Sequence, residues 1–316
     1  MARTDNDTWD ITESVGATAL GVAAARAAES NSEHPLFDDP YAQMFIDAAT
    51  ERGWKSPFGA TGLSEMPNAS AELVEQVQRR SAGIQAYAIS RTKFFDDFFL
   101  AAGAAGISQV VILAAGLDAR AWRLPWIADT VVYEIDQPKV LEFKAATMAA
   151  HNAVPKARVV AVPVDLRHDW PKALREGGFD ATRPTVWLAE GLLPYLPATA
   201  QDLMFERVNQ LSAPDSRIAV EAFNNDYYDE DYQKRSRARV QEMRAAADAT
   251  GHEIADVGEL LYTERRADVA DWLSAHGWQV GSTDAAILMD RYHRRLPDDM
   301  EAIRNTFVEG IRLTGP

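Results

Sequence analysis

The sequence predicts an α/β protein with a largely parallel sheet covered by helices, and three observations carry that prediction. Residues 109–114 include a continuous apolar run that ends near a glycine, which is typical of a central strand buried on both faces. Further strand candidates follow at 130–135, 158–164, 184–189 and 216–223. Helical stretches separate them at 137–152, 168–176 and 197–212. This alternation indicates βαβ units joined by right-handed crossovers.

The first hundred residues are predicted to be helical and to precede the sheet. Helices are predicted at 12–28, 41–50 and 72–99. Residues 51–68 are rich in Gly, Pro, Ser and Thr, which indicates a loop. We expect residues 1–105 to form a helical cap on an α/β core that spans 106–316, within a single domain.

The C-terminal third is predicted to add an insertion and an antiparallel edge to the sheet. Residues 225–248 are polar and aromatic, with a helical pattern in their second half, and we place them in an insertion around 224–262. A helix is predicted at 265–276. Residues 277–292 favour two strands around a Gly-Ser-Thr-Asp turn, which would form an antiparallel hairpin, and 299–311 favours a terminal helix.

The charge of the chain restricts its partners. The 316 residues carry a formal net charge of −15, whereas nucleic acids and anionic membranes are bound by basic surfaces. We therefore expect a small-molecule partner, and neither nucleic acid nor membrane. The sequence carries no signature of an oligomeric state.

Several kinds of site are excluded by residue type. The chain has no cysteine, which excludes disulfides, thiolate metal sites and a cysteine nucleophile. Its six histidines lack the paired spacing of a zinc site, and no G-x-S-x-G motif occurs, so we expect neither a metal nor a hydrolase nucleophile. The polar N-terminus lacks a signal-peptide core, and no apolar run approaches the ~20 residues of a membrane span, so we expect a cytoplasmic location.

Gly116 and Asp136 mark the first candidate binding site. Gly116 lies in the turn after the first strand, and Asp136 follows twenty residues later at the end of the second. In nucleotide-binding α/β folds an acid at this position accepts hydrogen bonds from ribose hydroxyls. The G-x-G-x-x-G fingerprint is absent, and Asp118 suits a cationic ligand better than a pyrophosphate. S-adenosylmethionine fits this pattern, and an ordinary strand–turn–helix with surface acids is the alternative.

Residues after two further strands extend the same site. Asp165 suits the adenine amino group, with Leu166 over the ring, or else it caps the helix that begins near His168. Glu190 suits the ammonium of a methionine moiety, with Tyr195 near the reacting centre, or else the pair is a capping acid and a core tyrosine.

Arg91 is a candidate for binding a ligand carboxylate. It begins the segment RTKFFDDFF, in which the phenylalanines recur at helical spacing and are predicted to face the core. A guanidinium can hold a carboxylate through two hydrogen bonds. An isolated arginine that is solvated or salt-bridged is the alternative.

Five segments in chain order carry a resemblance to a known family. They read RTKFFDDFF, VVILAAGLDARAWRL, YEIDQPKVLEFK, VPVDLRHDW and WLAEGLLPYL, and WDITESVGATALGVAAARAAE precedes them. With these motifs the chain resembles the S-adenosylmethionine-dependent methyltransferases of the leucine carboxyl methyltransferase type, in an actinobacterial, mycobacterial-like branch. The resemblance covers most of residues 9–200 and is looser in the C-terminal third.

The resemblance implies a fold and a set of cofactor-binding residues. The fold is a Rossmann-like, seven-stranded class I methyltransferase sheet, mostly parallel with an antiparallel C-terminal hairpin, plus the N-terminal helical cap. The implied roles are Arg91 on the cofactor carboxylate, Gly116 against the methionine part, Asp136 on the ribose, Asp165 and Leu166 at the adenine, and Glu190 in the methionine pocket.

Ala114 departs from the family pattern. Many relatives read L-G-A-G-L-D, whereas this chain reads Leu113-Ala114-Ala115-Gly116. The extra methyl group lies where the backbone is expected to approach the cofactor, so Ala114 belongs to the predicted site.

The function predicted from these observations is methyl transfer from S-adenosylmethionine to a carboxylate or hydroxyl of a small organic or lipid-like acceptor. Tyr195 and Glu190 are the candidate catalytic residues, and no general base is evident. The cap, the 51–68 loop and the insertion are expected to frame the acceptor. Their aromatic rim is predicted to be Trp54, Phe58, Tyr227, Tyr228 and Tyr232. The alternatives are a cofactor-binding protein without turnover and a nicotinamide-dependent oxidoreductase.

Overall fold

A computed structural model describes residues 14–54, 71–248, 261–296 and 303–314. In these ranges one seven-stranded sheet has the order β3-β2-β1-β4-β5-β7-β6. Its strands are β1 (Gln109–Leu113), β2 (Val131–Asp136), β3 (Arg158–Pro163), β4 (Thr185–Ala189), β5 (Arg217–Phe223), β6 (Trp278–Asp284) and β7 (Asn305–Arg312). Strands β1 to β5 pair in parallel, and β7 runs antiparallel to both of its neighbours. The predicted fold class is confirmed.

The sheet carries a hydrophobic core on each face because side chains alternate along its strands. Val110 and Ile112 of β1 belong to one buried cluster, and Val111 and Leu113 belong to the other. Every residue of β1 and β4 is buried, as expected for central parallel strands. The chain leaves β1 toward β2 on one side and later returns to β4 on the other. This reversal of strand order places the expected ligand crevice beyond the carboxyl ends of β1 and β4.

Helices pack against one another ahead of β1, as predicted. They are α1 (Ser14–Ser30), α2 (Ala42–Glu51) and α3 (Ala71–Ala104), and α1 packs against the other two. The end of α3 anchors this cap to the sheet, since Phe94 and Phe95 contact Phe307 of β7 with ring centroids 5.0 and 5.7 Å apart. Most of the loop predicted at 51–68 lies outside the described residues.

The connections between parallel strands are helical, and the last three of these helices lie at the predicted places. They are α4 (Arg120–Arg123), α5 (Pro138–Ala150), α6 (Trp170–Glu176) and α7 (Ala198–Gln210). Asp169 is the N-cap of α6 and accepts a hydrogen bond from the Lys172 amide at 3.3 Å. After β5 a 3₁₀ turn at Asn225–Tyr228 leads into α8 (Glu230–Asp248), so the helix in this segment begins earlier than predicted.

The predictions for the last fifty residues are partly wrong. The helix predicted at 265–276 is present as α9 (Val269–Ala275), and β6 follows it. No hairpin forms at 277–292, because Ala285–Arg291 is helix α10, in which Ala285, Leu288 and Met289 are buried at helical spacing. The terminal helix predicted at 299–311 is also wrong: from Asn305 onward the chain forms β7, which inserts between β5 and β6.

Candidate functional site

A cavity of about 420 Å³ lies at the carboxyl ends of the central strands, where the strand order reverses. It receives residues from α1, α3, the turns after β1 to β4, and the end of β5. All the candidate cofactor-binding and catalytic residues line it, namely Arg91, Ala114, Gly116, Asp136, Asp165, Leu166, Glu190 and Tyr195. The carboxyl ends of parallel strands meet at one edge of a sheet, so residues far apart in sequence converge here.

Asp136 is held in place by two backbone amides. Its Oδ2 accepts a hydrogen bond from the Gly116 amide and its Oδ1 accepts one from the Gln137 amide, both at 2.6 Å. Burial raises the pKa of Asp136 above its usual value, although these two amides act in the opposite direction. The carboxylate is therefore oriented at the cavity wall and retains lone pairs that can accept further hydrogen bonds.

The turn between β1 and α4 has a left-handed backbone at two positions. Gly116 has φ +48°, and Ala114 has φ +55°. This conformation costs a glycine little, but the side chain of any other residue crowds the backbone there. Ala114 therefore occupies a strained position at the cavity wall, where a glycine would be relaxed.

Asp165 is bound by its own loop and does not cap a helix. Its Oδ1 accepts hydrogen bonds from the Arg167 amide and Nε at 2.8 and 2.9 Å, and its Oδ2 accepts one from Nη2 at 2.7 Å. Gln137 Nε2 also donates to Oδ2, at 3.1 Å. Although burial opposes the effect, these Arg167 contacts lower the pKa of Asp165. The helix-cap alternative is wrong, since Asp169 has that role.

The Arg91 side chain is 11% exposed and pairs with two carboxylates, so the salt-bridged alternative describes it and the solvated one is wrong. Its Nε lies 2.9 Å from Oε1 of Glu190, and its Nη1 donates to Oε2 of Glu221 at 2.9 Å. Burial alone would lower the pKa of Arg91, but the charges of Glu221 and Glu190 raise it overall. The guanidinium therefore stays charged at the cavity wall.

Glu221 is a cavity residue that the sequence reasoning missed. It lies on β5, is 4% exposed, and lines the cavity. Its Oε1 accepts hydrogen bonds from the Tyr87 hydroxyl and from Asn305 Nδ2, and its Oε2 accepts one from the Gly191 amide at 2.7 Å. An acid inside the apolar strand sequence RIAVEAF was the available signal, because a buried charge requires partners.

Arg120 was also missed, and it connects the helical cap to the cavity. Its Nε donates to Asp96 at 2.7 Å, and its Nη1 donates to Asp118 at 2.5 Å and to Glu190 at 2.8 Å. Asp118 accepts from Arg120 with both oxygens. Burial acts against ionisation of Asp118, but Arg120 and Lys144 lower its pKa to about 2. Its charge is thus matched within the protein rather than left for a cationic ligand.

Aromatic residues line one end of the cavity, near β4 and β5, whereas Asp136 and Asp165 belong to β2 and to the loop after β3, on the other side of β1. Tyr195, Phe223 and Tyr262 lie there, and the Tyr195 hydroxyl donates to Thr18 Oγ1 at 3.3 Å. Outside the cavity wall, the Tyr227 ring stacks on Phe223 with centroids 3.6 Å apart.

Tyr227, Tyr228 and Tyr232 are not among the residues that line the cavity, so they do not support the predicted aromatic rim. Trp54 was assigned to it, but this side chain is 5% exposed and belongs to the hydrophobic core, so that assignment is wrong. Phe58 lies outside the described residues.

Two further observations concern metal sites and membrane-spanning helices. In the described ranges, no group of three or more His, Asp or Glu side chains is arranged to hold a metal ion. Among the helices of those same ranges, none combines the length and apolar character needed to cross a membrane.

Comparison with known proteins identifies the family. The model of the leucine carboxyl methyltransferase family matches residues 19–209. A relative from Mycolicibacterium paratuberculosis is 57% identical over 303 residues, which cover 95% of this chain and 93% of the relative. One from Mycobacterium tuberculosis is 50% identical over 317 residues, which cover 99% and 100%. Both are named "Putative S-adenosyl-L-methionine-dependent methyltransferase".

One solved structure is similar to this chain at low identity. It is the crystal structure of a "putative methyltransferase" from Thermobifida fusca. The TM-score is 0.46 and the sequence identity is 16%, and the match covers 96% of this chain and 97% of that one. The family match spans more than half of the sequence and includes the cavity residues from Arg91 to Glu190. This chain belongs to the leucine carboxyl methyltransferase family.

Proposed function

We propose that this protein transfers a methyl group from S-adenosylmethionine to an oxygen of a small organic or lipid-like acceptor. The observation that carries the proposal is the convergence of Arg91, Gly116, Asp136, Asp165 and Glu190 on one cavity at the reversal of strand order. The relatives with this sequence pattern are named as S-adenosylmethionine-dependent methyltransferases. Within this proposal residues 1–105 cap a single domain, and the protein acts in the cytoplasm.

The donor set of the cavity fits this cofactor. Asp136 is fixed by two amides at the end of β2, where it can accept hydrogen bonds from both ribose hydroxyls. Asp165 and Leu166 suit the adenine, and Glu190 suits the ammonium of the methionine part. Arg91 has Nη2 left for a carboxylate after its Nε and Nη1 have bound the two glutamates. The bound cofactor would supply an electrophilic methyl group on a positively charged sulfur.

The aromatic end of the cavity is assigned to the acceptor. With the adenosine part at Asp136 and Asp165, the surface around Tyr195, Phe223 and Tyr262 remains for a second molecule. Alignment of two reactants in such a site can lower the reaction barrier by about 7–11 kcal/mol. A carboxylate acceptor is already anionic and needs no base, whereas a hydroxyl needs one within hydrogen-bond reach, for which Tyr195 and Glu190 are the candidates.

Calorimetric titration of the purified protein tests the proposal. S-adenosylmethionine and S-adenosylhomocysteine should bind in the micromolar range, and NADH should not bind. Isotope-labelled cofactor is then used with panels of carboxylic acids, phenols and long-chain hydroxy compounds, and label in an extracted product identifies the acceptor class. Binding of NADH alone would support the oxidoreductase alternative instead. Cofactor binding with no labelled product from any panel would support a binding protein without turnover.

A further inference from the structure

Two carboxylates at the cavity wall share one guanidinium. Glu190 directly follows β4, and Glu221 lies on the adjacent strand β5. Arg91 contacts both carboxylates at 2.9 Å. The two acids differ in their other partners. Glu190 Oε2 also accepts a hydrogen bond from Arg120, whereas the remaining donors to Glu221 are the neutral groups of Tyr87, Asn305 and Gly191.

These contacts belong to a larger buried network in which acids outnumber bases. In the described part of the chain, the network joins α1, α3, the β1 turn and the ends of β4 and β5 through four guanidinium groups and five carboxylates. The guanidinium groups are those of Arg26, Arg91, Arg120 and Arg123, and the carboxylates are those of Asp39, Asp96, Asp118, Glu190 and Glu221.

Glu221 has little direct counter-charge. Glu190 contacts two guanidinium groups, and Asp118, which shares Arg120 with two other acids, is also stabilised by Lys144 and Arg123. Glu221 shares Arg91 with Glu190, and its other donors are neutral. A buried charge without a full counter-charge is unfavourable, and a cationic ligand in the adjoining cavity compensates it. Glu221 lines that cavity.

Building on the proposed function, we propose that Glu221 is a specificity-determining residue that makes the site prefer S-adenosylmethionine over S-adenosylhomocysteine. When the acceptor oxygen forms its bond to the methyl carbon, the carbon–sulfur electron pair stays on sulfur, and a hydroxyl acceptor passes its proton to the base, for which Tyr195 and Glu190 are the candidates, and from there to water. The sulfonium thereby becomes a neutral thioether. A negative charge close to the sulfur favours the charged substrate over the neutral product and so limits product inhibition.

The test compares the dissociation constants of both ligands in wild-type protein and E221Q by calorimetry. Glutamine keeps the shape of the side chain, and the Tyr87 hydroxyl and the Asn305 amide can each reverse to accept from its amide. S-adenosylmethionine should lose about tenfold or more in affinity relative to S-adenosylhomocysteine, because the two ligands share their ammonium and carboxylate and only the former carries the sulfonium. D165N is the matched control: it removes a charge at the adenine side and should weaken both ligands by similar factors.

Each remaining outcome also has a defined meaning. Equal weakening of both ligands in E221Q would overturn the proposal and leave Glu221 a structural role, with the proposed function intact. Failure of wild-type protein to bind either ligand would instead contradict the proposed function. If E221Q does not fold, the wild-type protein is titrated with an analogue that carries a protonated amine at the sulfonium position. That analogue should bind more tightly than S-adenosylhomocysteine, and equal affinity would overturn the proposal.

Discussion

Arg120 Nη1 donates a hydrogen bond to Glu190 Oε2 at 2.8 Å, although the two residues are seventy positions apart. Arg91 Nε lies 2.9 Å from the other oxygen of the same carboxylate. Glu190 is therefore fixed by the protein from two sides, one guanidinium coming from the helical cap and the other from the turn region after β1. The cap contributes to the geometry of the cavity as well as covering the sheet.

Replacing Arg120 with methionine should lower the free energy of unfolding by about 3–5 kcal/mol, because buried carboxylates lose their common partner. Asp96, Asp118 and Glu190 all contact this guanidinium. Urea denaturation of wild-type and R120M protein measures the difference. R120K keeps the charge without the planar fork and should lose less stability. A loss of under about 1 kcal/mol in R120M would contradict a burial cost for these acids.

Asp136→Asn should weaken S-adenosylmethionine binding by about tenfold or more, because a charged acceptor of two ribose hydroxyls is replaced by an amide. Calorimetry gives the dissociation constants, and thermal melting confirms that the variant is folded. E142Q, at an exposed position of α5, is the matched control and should bind like wild-type protein. Unchanged affinity in D136N would remove Asp136 from the ribose site.

The pKa of Asp136 also sets a direction for the pH dependence of binding. Burial raises this pKa, so the carboxylate becomes protonated at a higher pH than an ordinary aspartate as the solution is acidified. As the pH is lowered, the affinity of wild-type protein for the cofactor should therefore begin to fall at a higher pH than it would if Asp136 titrated like an exposed aspartate. In D136N this acid limb should be absent, and calorimetry across the acidic range measures both profiles.

The edge of the sheet that carries the site was predictable from sequence because the signal is local. Four of the candidates lie at or just after the end of an apolar strand, and parallel topology brings strand ends together whatever their separation in the chain. Gly116, Asp136, Asp165 and Glu190 all follow this rule, and all line the cavity. Their hydrogen bonds were not predictable, because a position after a strand does not specify the partner of its side chain.

Most partners of Arg91, Arg120 and Glu221 could not be predicted because they are remote in sequence. Tyr87 and Glu221 are 134 residues apart, and no local period links them. The errors near the C-terminus have a similar cause. Strand β7 forms because β5 and β6 provide hydrogen bonds on both of its sides. Asp284 was predicted to lie in a hairpin turn, but it immediately precedes α10. Non-local pairing overrode the local helical pattern at 299–311.

Ala114→Gly should raise the free energy of unfolding by up to about 1 kcal/mol, because the left-handed backbone at this position disfavours an alanine side chain. The gain is reduced by the greater freedom of glycine in the unfolded chain. Urea denaturation measures the change. A115G is the matched control, since Ala115 is buried without a positive φ, and this substitution should be destabilising. Loss of stability in A114G would show that the turn relaxes around its alanine.

Asp118 should make the folded state sensitive to acid in a defined window. Its pKa falls from 3.8 to about 2 on folding, with Arg120 and Lys144 overcoming the opposing effect of burial. A lowered pKa stabilises the folded state above pH 3.8, and this contribution is lost as the pH falls toward about 2. The difference in unfolding free energy between wild-type protein and D118N should therefore narrow by about 2 kcal/mol across that window. Urea denaturation at a series of pH values measures it.

D231N, at an exposed position of α8, should differ from wild-type protein by no more than about 0.5 kcal/mol throughout. A gap between wild-type and D118N that stays constant with pH would mean that the Asp118 carboxylate is not stabilised by its two cations.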